Sequence, residues 1–214
     1  MLLGINGAHN SYFDAFFTFF TSKEIWFPFY IVMLVIIMFK YKRTGLWLVL
    51  MLILTILASD QFSVLIKVLV ERPRPSHAEA LEGMLNLPIG QRGMYGFVSS
   101  HAANAFALTV MVGHVSKCKR LWLPLLVWAV ITGYSRIYLG VHYPFDVLAG
   151  AALGSLIGWG MYKLTVWFDD RFLGKRIAFA GSCENHQITP IVLSLLMITV
   201  TVAITAMLVL KYSF

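Results

Sequence analysis

Several things are scarce in this sequence, and each scarcity narrows what the protein can be. There are two cysteines in 214 residues, Cys118 and Cys183, in separate polar stretches. Neither has the CxxC or Cys/His spacing of a metal site, so free thiols on a reducing face are the expectation. No Lys or Arg occurs before Lys23. The basic start of a cleavable signal peptide is therefore missing, and the N-terminus is expected to stay on the protein. Internal repeats, low-complexity tracts and long linkers are also missing, which leaves residues 1–214 as a single domain.

What is abundant is oil. Hydrophobic residues make up 59% of the chain, with a mean hydropathy of +0.76, against roughly 45–50% in a soluble domain. Apolar runs long enough to cross the hydrocarbon core alternate with short polar punctuation. The expected fold is all-α, a polytopic membrane bundle with spans at about 25–39, 45–66, 102–115, 121–133, 147–167 and 190–210. The short spans suit helices that stop at a recessed polar site. The run "FDAFFTFFTSKEIWFPFY" is interrupted by Asp14, Lys23 and Glu24. Its first half reads as an interfacial helix and the rest as the lead into the first span.

The net charge of +7 raises nucleic acid as a partner, but the basic residues sit in short loops between apolar runs, where orientation in a bilayer explains them. No nucleic acid partner and no obligate protein partner is expected. "KYKR" at 40–43, "SKCKR" at 116–120 and the loop 168–189 put their positive charge on one face, which reads as cytoplasmic. The other face is less basic once Lys67, Arg74 and Arg136 are set aside for chemistry.

Those three residues belong to segments that converge on the outward face. The first is "KVLVERPRP", with Lys67 and Arg74–Pro75. The second is "VSSH" at 98–101, opening the third span. The third is "SRIYLGVHYPFD" at 135–146. A lysine, two arginines, the Ser99 and Ser100 hydroxyls and the free N–H groups of a helix start together suit a phosphate dianion. Two histidines add a nucleophile and a proton donor. His142 and Asp146 are four residues apart with Pro144 at the first helical position. The carboxylate is therefore placed to take the proton of one ring nitrogen and leave the other lone pair aimed into the site. His101 reads as the general acid, its proton affinity lowered by the cations around it and raised by arriving phosphate.

These segments resemble the type 2 phosphatidic acid phosphatase (PAP2) superfamily, whose pattern is K-x6-RP, PSGH, then SR-x5-H-x3-D. The first and third match in spacing and order. The middle one reads Val98-Ser99-Ser100-His101, so its Pro and Gly positions are changed, and a serine hydroxyl stands where the family has bare backbone. The likeness covers about residues 60–150 in detail, with 190–210 as an additional C-terminal span. It implies that His142 attacks phosphorus to give a phosphohistidine, that Asp146 orients it, and that His101 protonates the leaving group. Lys67, Arg74, Ser99, Ser100 and Arg136 would bind the phosphoryl oxygens, with no metal or other cofactor. A second Arg-Pro, Arg72–Pro73, lies close by, and the family spacing selects Arg74.

The implied substrate is a lipid phosphate presented at the bilayer surface. The short chain looks like bacterial members, with the site facing the periplasm or exterior of the inner membrane. Undecaprenyl diphosphate and lipid A are favoured over phosphatidylglycerol phosphate and phosphatidic acid. A non-catalytic lipid-phosphate binding or transport protein would leave His101 and the His142/Asp146 spacing unexplained. Vanadium haloperoxidases resemble the superfamily too, but they are mainly soluble. Asp60 is expected to make a buried hydrogen bond or ion pair that positions Lys67. His77 reads as a solvated loop residue, and the loop 76–97 as one wall of the substrate's way in.

Overall fold

The computed structural model describes residues 1–174 and 185–212. Among them are eight α-helices: α1 (Leu2–Asn6), α2 (Ser11–Phe20), α3 (Phe27–Tyr41), α4 (Arg43–Val70), α5 (Ser100–Ser116), α6 (Lys119–Tyr138), α7 (Pro144–Phe168) and α8 (Asn185–Tyr212). Glu24–Tyr41, Thr44–Val70, Lys119–Tyr138, Pro144–Phe172 and Ile188–Lys211 are long and apolar enough to cross a membrane. The sixth expected span, α5, has 17 residues and packs against α4, α6 and α7. The first half of the run from Phe13, expected as an interfacial helix, lies in α2, which packs on α6 and α8 and is preceded by the short α1.

Local chemistry sets the helix ends. The Asn10 side chain caps α2 by accepting from the Phe13 N–H at 2.9 Å, satisfying a donor that a first turn leaves unpaired. Glu71 ends α4 at φ +50°, and the prolines at 73 and 75 prevent the helix from resuming. Pro144 opens α7, where its missing N–H costs nothing. Between α6 and α7 the chain reverses through Gly140 at φ +68°. A side chain there would be strained, and a Cβ would also meet Leu87 and Asn6.

The central contact is α5 against α7. Gly150, Gly154 and Gly158 repeat every four residues along one face of α7. A methyl group at any of them would collide with the carbonyl of Ser99, Ala103 or Ala107 respectively. Small residues let two backbones approach closely inside a bilayer, where apolar burial by itself does not drive helices together. The start of α5 is thereby locked to the start of α7: Ser99 N–H donates to the Asp146 carbonyl at 2.9 Å.

The loop 71–99 folds back over this end. Its two arms pair through Arg74 N–H to the Met94 carbonyl and Gly96 N–H to the Arg72 carbonyl, both 2.9 Å. The N-terminus pins the loop from outside. Buried Asn6 donates to the carbonyls of Asn86 and Tyr138 and accepts from Asn86 N–H. Asp14 accepts from the Tyr138 hydroxyl and the Asn86 amide.

One expectation is corrected. Cys118, buried just before α6, is disulfide-bonded and not a free thiol; sequence spacing carries no information on which side chains come within bonding distance. The expectations for Cys183 and for positions 175–184 of the basic loop 168–189 fall outside the described residues.

Candidate active site

The three sequence segments meet at the end of the bundle where α4 stops and α5 and α7 begin. Lys67, on the last turn of α4, donates to the Ser100 hydroxyl. The Ser63 hydroxyl, one helical turn earlier, lies 2.6 Å from the same oxygen. Asp60 does not touch Lys67 directly. Its Oδ1 accepts from Asn104 at 3.2 Å, and its backbone carbonyl takes the Ser63 hydroxyl at 2.7 Å.

His142 is 1% exposed and Asp146 fully buried. Arg74 Nη1 stands 3.0 Å from His142 Nε2 and donates to the Val141 carbonyl at 3.1 Å. A guanidinium has no acceptor. Nε2 must therefore present its lone pair, and the proton of the neutral ring lies on Nδ1. That nitrogen faces Asp146 Oδ2 at 3.5 Å and makes no hydrogen bond among the described residues. In place of the expected Nδ1–H to carboxylate hydrogen bond there is thus a longer contact of 3.5 Å at rest. The reason is competition: Oδ2 accepts the Tyr143 N–H at 2.9 Å, and Oδ1 accepts from Arg72 Nη1 at 3.0 Å.

Burial lowers the pKa of His142 to about 4; the Asp146 carboxylate opposes this, while Arg74 and Arg136 add to it. The imidazole is therefore neutral at neutral pH, which a nucleophile requires. Burial also lowers the pKa of Arg74, with Asp146 opposing and Arg92 adding. Such a cation gains from an incoming anion.

Arg136 is 4% exposed and donates to the Thr21 hydroxyl at 2.6 Å. Its Nε and that of Arg74 are buried without partners among the described residues. Buried donors are rarely left unpaired, so two open guanidinium N–H groups mark a place for an anion. His101, on the first turn of α5, interacts electrostatically with Arg136, His142, Lys23 and Arg74.

Ser99 departs from expectation. Its N–H is taken by the Asp146 carbonyl, and its hydroxyl caps α5 through a long 3.5 Å contact with Ala102 N–H. Ser100 supplies the hydroxyl that faces Lys67. His77 Nε2 lies 2.7 Å from the Arg92 carbonyl and so fastens the loop to itself.

Sequence reasoning missed two contributors. Thr21 lies 115 residues from the arginine it meets, and nothing local marks it. Arg72 was visible as half of an Arg-Pro repeat, but spacing alone set it aside.

The molecule is thus an integral membrane protein whose helix ends gather cations around a buried imidazole–carboxylate pair. Residues 44–170 match the PAP2 superfamily, and the chain belongs to that family of membrane lipid phosphatases. It is similar to the lipid A 4'-phosphatase of Bacteroides thetaiotaomicron, 37% identical over 76% of this chain and 74% of that protein. The lipid A 4'-phosphatase of Porphyromonas gingivalis is 30% identical over 87% of this chain and 78% of its own length. Among solved structures, the crystal structure of Aquifex aeolicus LpxE superimposes with a TM-score of 0.61 at 31% identity. It covers 76% of this chain and 92% of that one.

Proposed function

We propose that this lipid phosphatase removes a phosphate from lipid A or a closely similar envelope lipid, through a phosphohistidine. His142 Nε2 attacks phosphorus, an N–P bond forms and the P–O bond to the lipid breaks. His101 gives its proton to the departing oxygen. Water, deprotonated by His101 in return, then cleaves the N–P bond and releases inorganic phosphate. Lys67, Arg74, Ser100 and Arg136 bind the phosphoryl oxygens, with Ser99 holding the start of α5 beside them. Asp146 steadies the imidazole as positive charge develops on it.

The single observation that carries this reading is the His142 ring. Its Nε2 lone pair is turned toward the Arg74 guanidinium, and Nδ1 toward a buried carboxylate. The substrate choice is supported by the two lipid A 4'-phosphatases that align with three quarters or more of this chain. A lipid's chains can stay in the bilayer while its headgroup reaches helix ends at the membrane boundary. The positive charge at 40–43 and 116–120 supports a site on the periplasmic side of the inner membrane. The Cys118 disulfide, on the face that this orientation makes cytoplasmic, pulls the other way. Six cations at two helix junctions, Lys40, Lys42, Arg43, Lys117, Lys119 and Arg120, outweigh that single bridge.

The test is release of inorganic phosphate by purified protein in detergent, chelator present, from lipid A, undecaprenyl diphosphate, phosphatidylglycerol phosphate and phosphatidic acid. Turnover of lipid A with no phosphohistidine trapped on acid-free quenching would reject the covalent step. Tight binding of every lipid without turnover would mark a binding protein instead.

A further inference from the structure

We propose that Arg72 is a positioning residue for this reaction, acting through Asp146: it fixes one carboxylate oxygen so that the other faces His142, and it balances the charge that the imidazole senses. The inference rests on the reading of His142 as the nucleophile.

Asp146 is completely buried, and a buried carboxylate must be paired or hydrogen-bonded. Arg72 Nη1 meets its Oδ1 at 3.0 Å, with the Arg72 side chain 36% exposed. The guanidinium also lies over the Tyr143 ring, 4.3 Å from its centroid, so stacking and ion pairing hold it from two directions. Its backbone is tied too, since the Arg72 carbonyl accepts from Gly96 N–H. Gly96 lets the loop press close: a Cβ there would stand 3.2 Å from Asp146 Oδ2 and 3.1 Å from Arg74 Cγ. With Oδ1 held by Arg72, the remaining oxygen is shared between the Tyr143 N–H and the His142 ring.

The electrostatic consequence follows from who faces whom. His142 is faced by Asp146 from α7, Arg74 from the loop, Arg136 from α6 and His101 from α5. Asp146 is faced by Arg72, Arg74 and, from α4, Lys67. Without Arg72 the carboxylate loses its closest cation, and more of its charge acts on His142. The imidazolium is then favoured, and the nucleophile is lost at a higher pH than before.

The experiment compares pH profiles of kcat/KM for the wild type, Arg72→Gln, Arg72→Lys, Asp146→Asn and the double variant Arg72→Gln/Asp146→Asn, by phosphate release in detergent. Substrate ionisation is common to all and cancels in the comparison. In Arg72→Gln the acid limb should move up by about one to two pH units, with kcat falling more than KM rises. Arg72→Lys should keep the limb near that of the wild type. In the Asp146→Asn background the Arg72→Gln shift should vanish, because the two changes act through one contact. A limb that does not move, a rise in KM alone, or an undiminished shift in the Asp146→Asn background would overturn the proposal.

Should Arg72→Gln be too inactive to profile, NMR titration of labelled histidines in micelles, with His142→Gln assigning the resonance, reads the same quantity. Protonation at higher pH in Arg72→Gln supports the proposal, and an unchanged midpoint rejects it. If the wild type releases no phosphate at all, the proposed reaction fails, yet the NMR comparison still decides whether Arg72 acts on His142 through Asp146.

Discussion

The part of the chain that matches the family, α4 to α7, and the flank formed by α1 to α3 and α8 are held together by different means. In the first, glycines and alanines bring α5 and α7 into backbone contact, and the site residues sit at the ends of those helices. In the second, large rings fill the space. Trp26 packs edge-on to Phe20 at 5.0 Å and to Trp128 at 5.6 Å, and Phe17 lies 4.6 Å from Tyr138. Backbone contact leaves little freedom in where a helix end points, whereas ring packing tolerates adjustment. The difference teaches where position matters: the glycine ridge registers Ser100 and His101 against His142, and the flank reaches the site through side-chain bonds such as Arg136 to Thr21.

The contrast can be broken at its centre first. His142→Ala should lower phosphate release by about 10⁴-fold or more while the purified protein still elutes as a folded species, its melt lowered only by the cavity that the lost ring leaves. Equal loss of the fold would show that this half depends on His142 for packing as well. Next, Gly154→Val drives a branched side chain into the Ala103 carbonyl. It should abolish both folded yield and activity, whereas Trp26→Ala, which opens a cavity in the flank, should cost about 3–5 kcal/mol of stability and leave KM near the wild-type value. Thermal melts with Michaelis kinetics on the surviving protein separate the two.

A smaller effect sharpens the link between the regions. Thr21→Val deletes the acceptor of the Arg136 N–H and should reduce kcat/KM about tenfold, the size of a hydrogen bond to a charged group; Thr21→Ser should restore most of it. An unaffected Thr21→Val would confine the flank to a sealing role.

The smallest effect is in pH. The folded protein keeps His142 neutral down to about 4, but the unfolded chain protonates it near 6.5. On acidification the unfolded state takes up the proton first. The stability this represents is therefore complete above about 6.5 and is lost as pH falls toward 4. Melting temperature measured across that window should slope downward on acidification, and His142→Gln should flatten part of the slope.

Much of this was legible in the sequence, for reasons that apply residue by residue. The spans were readable because apolar runs must be at least as long as the hydrocarbon core is thick, and α4 and α8 extend only a few residues beyond the expected limits. Lys67, Arg74, Arg136, His142 and Asp146 could be chosen because their spacings are local to single helix ends. What the sequence could not carry was long-range or competitive. Asn6 reaches Tyr138 across 132 positions. The Tyr143 N–H competes with the imidazole for Asp146 Oδ2 while Arg72 holds Oδ1, and the Ser99 N–H is taken by a carbonyl on another helix.

The Arg74–His142 contact has one more consequence. At rest the Nε2 lone pair of the imidazole is already engaged by a guanidinium N–H. A neutral ester that drifts up to these helix ends meets a ring with nothing to offer. On the proposed mechanism, only a visitor with enough negative charge to recruit that arginine uncovers the lone pair, so the site sorts its guests by charge before any bond is made.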